Sequence, residues 1–384
     1  MDRARIGRAL LALSGHRAAE IGDLSGADWA AIDRLAHEHR LRPFLHGRLS
    51  RGAIEHVPDR IGEVWRNAYR ANAITILSQR RALLQATAAL QAQGIHAVAL
   101  KGSALAWTVW PAPAERVMRD IDLLVPEEEA PRAYRTLIET GWRAPTMSRD
   151  ALETMAREET HLPPLHSPEG VMCELHSHVW RNAPLPGSFM PRADDAEMLA
   201  GARDDERLGA QVPSAQDMLA HLVVHAACSH LLNVGPMALV DVDLWCDHKA
   251  PDWDEFWDQA KARQFDRPAA LVFALVDRWR RPGFLASTKC RDTVDEGVLD
   301  DAELLLVQDL DARKDVSAIA SLAGGSIRGR IGQHPLDRAE NEAGLATRAG
   351  QVCGRALSIT RSLLAGSARR DGLATARLRK WLEG

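Results

Sequence analysis

Cysteine is scarce in this chain: Cys173, Cys228, Cys246, Cys290 and Cys353 are odd in number and far apart. They form none of the close pairs that a zinc site or a disulfide framework needs, which fits a reducing, cytoplasmic setting. Net charge is nearly lacking too. The 48 Lys and Arg against 52 Asp and Glu leave −4 at neutral pH, so no global field draws the whole molecule onto nucleic acid or an anionic membrane, and any such affinity has to be local. Long apolar runs are also missing. The segment Met1 to Leu10 turns polar again at Ser14 to Glu20, short of a signal-peptide core or a membrane span, so an unexported protein without a membrane span is expected.

Several familiar motifs are absent as well. No Gly-x-Gly-x-x-Gly follows a strand-like segment, and Ser103 has no recognisable nucleophile elbow around it. His221 and His225 have the spacing of a helical zinc pair, but Leu222 stands where the Glu of His-Glu-x-x-His would be, so packed or capping histidines are expected there. No repeat of fixed period is found.

What is present is 46% hydrophobic residues, enough to bury one large core or two to three smaller ones, with nothing that suggests disorder. Trp29, Ile32, Leu35, Ala36 and Leu41 recur at helical spacing, and 61–93 continues in the same way, so residues 1–93 read as an N-terminal helical region. The texture changes at Gly94. Residues 95–100 are short, apolar and followed by Lys101-Gly-Ser103, as a buried strand ending in a turn would be. Further strands fit 121–125 and 171–179, with a helix over 127–140 between them that starts acidic and stops at Gly141. Residues 94–200 thus form an α/β core. Helix signals dominate 201–384: Ser214 is a cap, 216–232 is apolar on most faces, and Gly- and Pro-rich breaks follow, notably 324–332. The fold class expected is α+β, a small mixed sheet flanked by helical regions.

The chemistry concentrates in Arg119-Asp-Ile-Asp-Leu-Leu-Val125. Strand alternation puts Asp120 and Asp122 on one face and Ile121 and Leu123 on the other. Two converging carboxylates are costly unless solvated or offset by cations, and such hard oxygen ligands suit Mg²⁺ held together with substrate phosphates. Alone, an Asp-x-Asp is equally a solvated strand end. Its surroundings favour a triphosphate: Gly102 lets backbone approach a phosphate, Ser103 and the helix start offer donors, and Lys101, Arg116 and Arg119 bring positive charge.

With these residues in place the chain resembles the nucleotidyltransferase superfamily, with its polymerase-β-like fold, and within it the bacterial group of uncharacterised nucleotidyltransferases. The likeness is carried by Leu100-Lys-Gly102, Arg116 and Asp120 to Val125. More weakly it extends to Trp29, to His39-Arg-Leu-Arg-Pro43, and to His225, His230 and Asp241. The superfamily adds a third carboxylate from a later strand. The resemblance places it at Glu174, in Val171-Met-Cys-Glu-Leu-His-Ser-His-Val179, where Glu174, His176 and His178 share one strand face.

The resemblance implies a metal-dependent nucleotidyltransferase. Asp120, Asp122 and Glu174 would be both catalytic and metal-ligating, and Lys101, Gly102, Ser103, Arg116, Arg119 and His176 would contact the nucleotide. The cofactor implied is Mg²⁺ or Mn²⁺ and the substrate a nucleoside triphosphate such as ATP. The acceptor stays open: a small molecule, a peptide, a protein or RNA. Two alternatives stand beside it, a non-catalytic scaffold on the same fold and an enzyme transferring another phosphate-linked group such as a sugar. Because every phosphate-suited group precedes Trp180, the helices after Ser214 are expected to select the acceptor. The last forty residues, from Leu345, hold eight Arg or Lys against Asp371 and Glu383. That basic tail is either a solvated amphipathic helix or a contact surface for an anionic partner.

Overall fold

The computed structural model describes residues 3–181, 189–308 and 366–384. The Gly-rich break at 324–332 and the tail before residue 366 lie outside the described residues. Helices α1 (Arg3–Ser14), α2 (Gly26–Glu38) and α3 (Arg42–Ser50) lead into α4 (Asp59–Ala92). Ser25 starts α2 with a full capping box: its hydroxyl accepts the Asp28 N–H, and the Asp28 carboxylate accepts the Ser25 N–H at 3.0 Å.

Helix α4 buries Trp65, Asn72, Ile76, Gln79, Leu83, Ala86 and Leu90, a stripe at the three-and-four spacing that keeps one helix face turned inward. Its two amides matter most. Asn72 donates to the carbonyls of Ala114 (2.8 Å) and Arg116 (3.2 Å), and Gln79 donates to that of Met118 (3.1 Å). Buried amides need such partners, and these bonds tie the backbone just ahead of Asp120 to a long rigid helix.

The sheet is mixed, in the order β3-β4-β2-β1-β6-β5. Its strands are β1 (Val98–Ala99), β2 (Asp120–Leu124), β3 (Leu165–His166), β4 (Met172–His176), β5 (Arg203–Asp205) and β6 (Ala210–Val212). Strands β2 and β4 run parallel with Asp122 opposite Glu174 and Ile121 opposite Cys173. Ile121, Leu123, Cys173 and Leu175 are wholly buried in the core, so alternation leaves the acids of both strands on the other face. The α+β class and the strands near 98, 121 and 172 agree with the sequence. The β5–β6 hairpin extends the sheet to Val212, past the span 94–200; at three residues each, with Arg203-Asp-Asp205 wholly polar, these strands are too short to show a period.

Around the sheet lie α5 (Lys101–Thr108), α6 (Ala130–Glu139), α7 (Arg149–Glu158) and α8 (Asp195–Gly201). Then follow α9 (Ala215–Val224), α10 (Met237–Lys249), α11 (Trp253–Arg263), α12 (Asp266–Trp279), α13 (Phe284–Ser287), α14 (Glu296–Leu306) and α15 (Gly366–Glu383). The helix expected over 216–232 is instead broken: α9 passes into a π-turn at His225–Ser229, and Leu231 and Leu232 then take φ of +47° and +63°. Such interruptions often sit at functional sites. A single apolar cluster links Ile6 of α1, Leu123 of β2, Phe273 of α12 and Leu382 of α15. Among the described residues no helix is long and apolar enough to cross a membrane.

Candidate active site

Strands β2 and β4 present Asp120, Asp122, Glu174 and His176 to a cavity of about 1070 Å³. The ligand atoms of Asp122, Glu174 and His176 all lie within 4.8 Å of one another. His176 Nε2 is 2.8 Å from Asp122 Oδ1 and 3.8 Å from Glu174 Oε2, and His161 Nε2 is also 3.8 Å from Glu174. Two carboxylates and an imidazole at this separation are a donor set for a divalent cation. Asp122 and Glu174 thus meet with His176, which the sequence suggested as a nucleotide contact, while Asp120 stands beside the group.

Electrostatics sets the two aspartates apart. Burial, followed by repulsion from Asp122 and Glu174, pushes Asp120 up to about 6. For Asp122 burial acts in the same sense, but the Lys101 ammonium, at 2.9 Å from Oδ1, and the His176 ring outweigh it and hold the carboxyl well below the usual range. Burial is the larger cause at Asp120, and the repulsion from Asp122 and Glu174 that adds to it is the part a bound cation would relieve. Burial keeps His176 below the usual imidazole value.

The turn between β1 and α5 has its own geometry. Lys101 adopts φ +45°, in the left-handed region where a side chain is strained. Ser103 is fully enclosed, and its hydroxyl accepts the Asp122 N–H at 2.7 Å; it therefore braces the backbone of the strand that carries the aspartates. Arg116 reaches the cavity with its charge already answered, since Nε and Nη2 donate to the two Asp241 oxygens at 2.9 and 2.7 Å. Trp110 Nε1 donates to the same carboxylate at 2.9 Å. Arg119 lines the cavity and is exposed.

Gly102 packs directly under this network. A Cβ there would meet Arg116 Nη1, and Met118 Sδ at 2.8 Å. Met118 is flexible, but Asp241 pins the guanidinium. Gly102→Ala is therefore expected to cost about 1–3 kcal/mol, as overpacking does. Denaturant unfolding measures it, and an unchanged midpoint would show that Arg116 yields freely.

A row of aromatic rings runs alongside the cavity, which Trp180, His225 and His230 line. Trp180 stacks on His221 at 6.2 Å, His221 on His225 at 6.0 Å, and His225 meets His230 edge-on at 4.5 Å. Burial holds His221 and His225 far below the usual imidazole value, so both are neutral. The packing role expected for this pair agrees with the stacking. Asn233, Gln308 and, from α15, Thr375 and Arg379 also line the cavity.

Arg40 and Asp241 enter the sequence reading only as members of segments that resemble the family, and His161 not at all; neither the place of Arg40 in the cavity nor the pairing of Arg116 with Asp241 is legible there. They come from elements far apart in the chain, and no local pattern marks them.

A mixed sheet whose adjacent parallel strands hold acids on one face, beside a Lys-Gly-Ser turn, defines a transferase built on a nucleotidyltransferase core. The family described as uncharacterised nucleotidyltransferase matches residues 25–281, more than half of the chain, and the chain belongs to that family. Comparison with curated proteins gave no match.

Proposed function

We propose that the protein transfers a nucleoside monophosphate from a nucleoside triphosphate to an acceptor hydroxyl, with Mg²⁺ or Mn²⁺ as cofactor. The observation that carries this is the register of β2 on β4, which sets Asp122 opposite Glu174 in the wall of one cavity. Asp122, Glu174 and His176 are the proposed metal ligands, with Asp120 completing the anionic face. A divalent cation held there supplies neutralisation of the phosphates and polarisation of the attacked phosphorus.

Glu174 orients the acceptor hydroxyl and takes its proton. The oxygen then bonds to the α-phosphorus as the bond to the β-phosphate oxygen breaks, and pyrophosphate leaves. Lys101 and Arg119 line the cavity beside the aspartates and face the leaving phosphates. Arg116, paired with Asp241, orders the wall rather than supplying free charge, and Gly102 keeps that wall close.

The acceptor meets the helices after Ser214. This assignment is supported by the lining of the cavity, which includes Thr375 and Arg379 of α15, beyond the span 25–281 that the family covers. Arg377 of the basic tail is turned instead to Asp301, its Nε at 2.7 Å from Oδ2.

The direct experiment incubates the protein with each α-labelled nucleoside triphosphate, Mg²⁺ or Mn²⁺ and a cell lysate, and follows the label. Label on an acceptor with release of pyrophosphate is the expected result. No transfer under any of these conditions would overturn the proposal. Glu174→Gln keeps shape and removes charge, so kcat is expected to fall by about 10² to 10⁴, with a smaller loss of metal-dependent nucleotide affinity because Glu174 is also a proposed ligand. Full kcat in that variant would remove Glu174 from the proton-transfer role.

A further inference from the structure

Arg40 stands between α2 and α3 with φ +59°. The turn around it is a Schellman motif: the Leu41 N–H bonds the Ala36 carbonyl at 2.7 Å and the Arg40 N–H that of His37 at 3.0 Å. Arg40 thus holds the left-handed position that closes a helix, where Gly or Asn is the ordinary choice because a larger side chain is strained there. Backbone geometry alone does not call for arginine.

The side chain has no evident structural employment either. Arg42, two residues on, donates to both Asp33 oxygens at 2.8 and 2.6 Å, and Trp65 Nε1 bonds the same carboxylate at 3.0 Å. Those bonds secure the turn. Arg40 instead lines the active-site cavity together with Arg119 and Asp120, and among the described residues its guanidinium makes no hydrogen bond or ion pair. Burial, followed by repulsion from Arg119, pushes it down to about 10 even with Asp120 near. A half-buried cation facing a second arginine is unfavourable until an anion enters between them.

The anion must satisfy two sets of groups in one cavity. One set is Asp122, Glu174 and His176, which fits a divalent cation; the other is two guanidinium forks, which match phosphate oxygens in pairs. A metal-bound polyphosphate has oxygens for both.

We infer that Arg40, supplied by the N-terminal helical region and held in place by a strained Schellman turn, clamps with Arg119 the polyphosphate chain of the metal-bound nucleotide. This rests on the nucleotidyl-transfer reading above. The helices ahead of the sheet thereby complete the nucleotide site, and the strain at Arg40 is retained for the charge it carries into the cavity.

The test uses Arg40→Gly, because glycine suits φ +59° and relieves the turn; its melting temperature is expected to equal or exceed that of the wild type. Calorimetry with Mg²⁺-tripolyphosphate and Mg²⁺-nucleoside triphosphates is expected to show affinity reduced roughly 10- to 100-fold, the range of a lost charged hydrogen bond or two. Nucleoside monophosphates should change far less, and Arg40→Lys should restore part of the polyphosphate affinity. Arg40→Asn, which also tolerates the left-handed region, serves if the glycine variant melts lower. Wild-type protein that binds the triphosphates while both variants bind them equally well would overturn the clamp and leave the nucleotidyl-transfer reading standing. Equal losses for triphosphate and monophosphate would also overturn it, as the mark of a disturbed pocket. Wild-type protein that binds no nucleoside triphosphate with Mg²⁺ or Mn²⁺ would overturn the nucleotidyl-transfer reading itself, and this inference with it.

Discussion

Asp122→Asn is expected to abolish metal-dependent nucleotide binding and to destabilise the fold at the same time. Asp122 is only 4% exposed, and one of its oxygens serves both Lys101 Nζ (2.9 Å) and His176 Nε2 (2.8 Å). The amide keeps the shape and removes the charge, leaving the Lys101 ammonium without its partner in a largely dry setting. Breaking a buried pair from one side costs about 3–5 kcal/mol; Lys101 retains some solvent contact, so the lower end of that range is expected. Titration with Mn²⁺, alone and with nucleotide, reports the binding loss, and urea unfolding at constant slope reports the stability loss. Unchanged Mn²⁺ affinity would move the metal site away from Asp122. If binding vanished with stability intact, Lys101 would have found water or another acid.

The second large effect is expected at Asp241, where the loss is structural first and functional through it. Arg116 donates twice to Asp241, Trp110 donates a third bond, and the paired side chains are 11% and 6% exposed. The pair bolts the segment leading into β2 onto α10. Asp241→Ala strands a guanidinium and an indole N–H, so a loss of about 3–5 kcal/mol in unfolding free energy is expected. Arg116→Lys is expected to cost nearly as much, because an ammonium cannot span both oxygens. The double variant should then lose less than the two single losses added together, since the first change already removes the shared bonds. Full additivity would mean that the pair does not act as a unit. Nucleotide affinity should fall with Asp241→Ala as well, because the freed guanidinium sits directly over Gly102.

These two effects differ in how far the sequence announces them. Asp120-Ile-Asp-Leu declares its own geometry, since a period of two separates the faces of a strand whatever packs against it. Glu174 and His176 are legible for the same reason, and the register of β2 on β4 then brings them to Asp122. Nothing local links Arg116 to Asp241 or Ser103 to the backbone of Asp122; each is a long-range pairing made when separate elements pack together. The π-turn at His225–Ser229 escapes the sequence too, because its residues are as helix-compatible as their neighbours and only packing interrupts the ladder.

Taken alone, the sequence determined the α+β class, the strands that carry the acids and the face on which those acids lie, because neighbouring residues encode alternation and helical spacing directly. Only the tertiary structure decided which cations stay free in the cavity. Lys101 pairs with Asp122 and Arg116 with Asp241, while Arg40, from a turn eighty residues before Asp120, is left facing Arg119. The reason is physical: a charged side chain's role follows from which opposite charges and how much water surround it, and those are fixed by the docking of distant elements rather than by sequence neighbours.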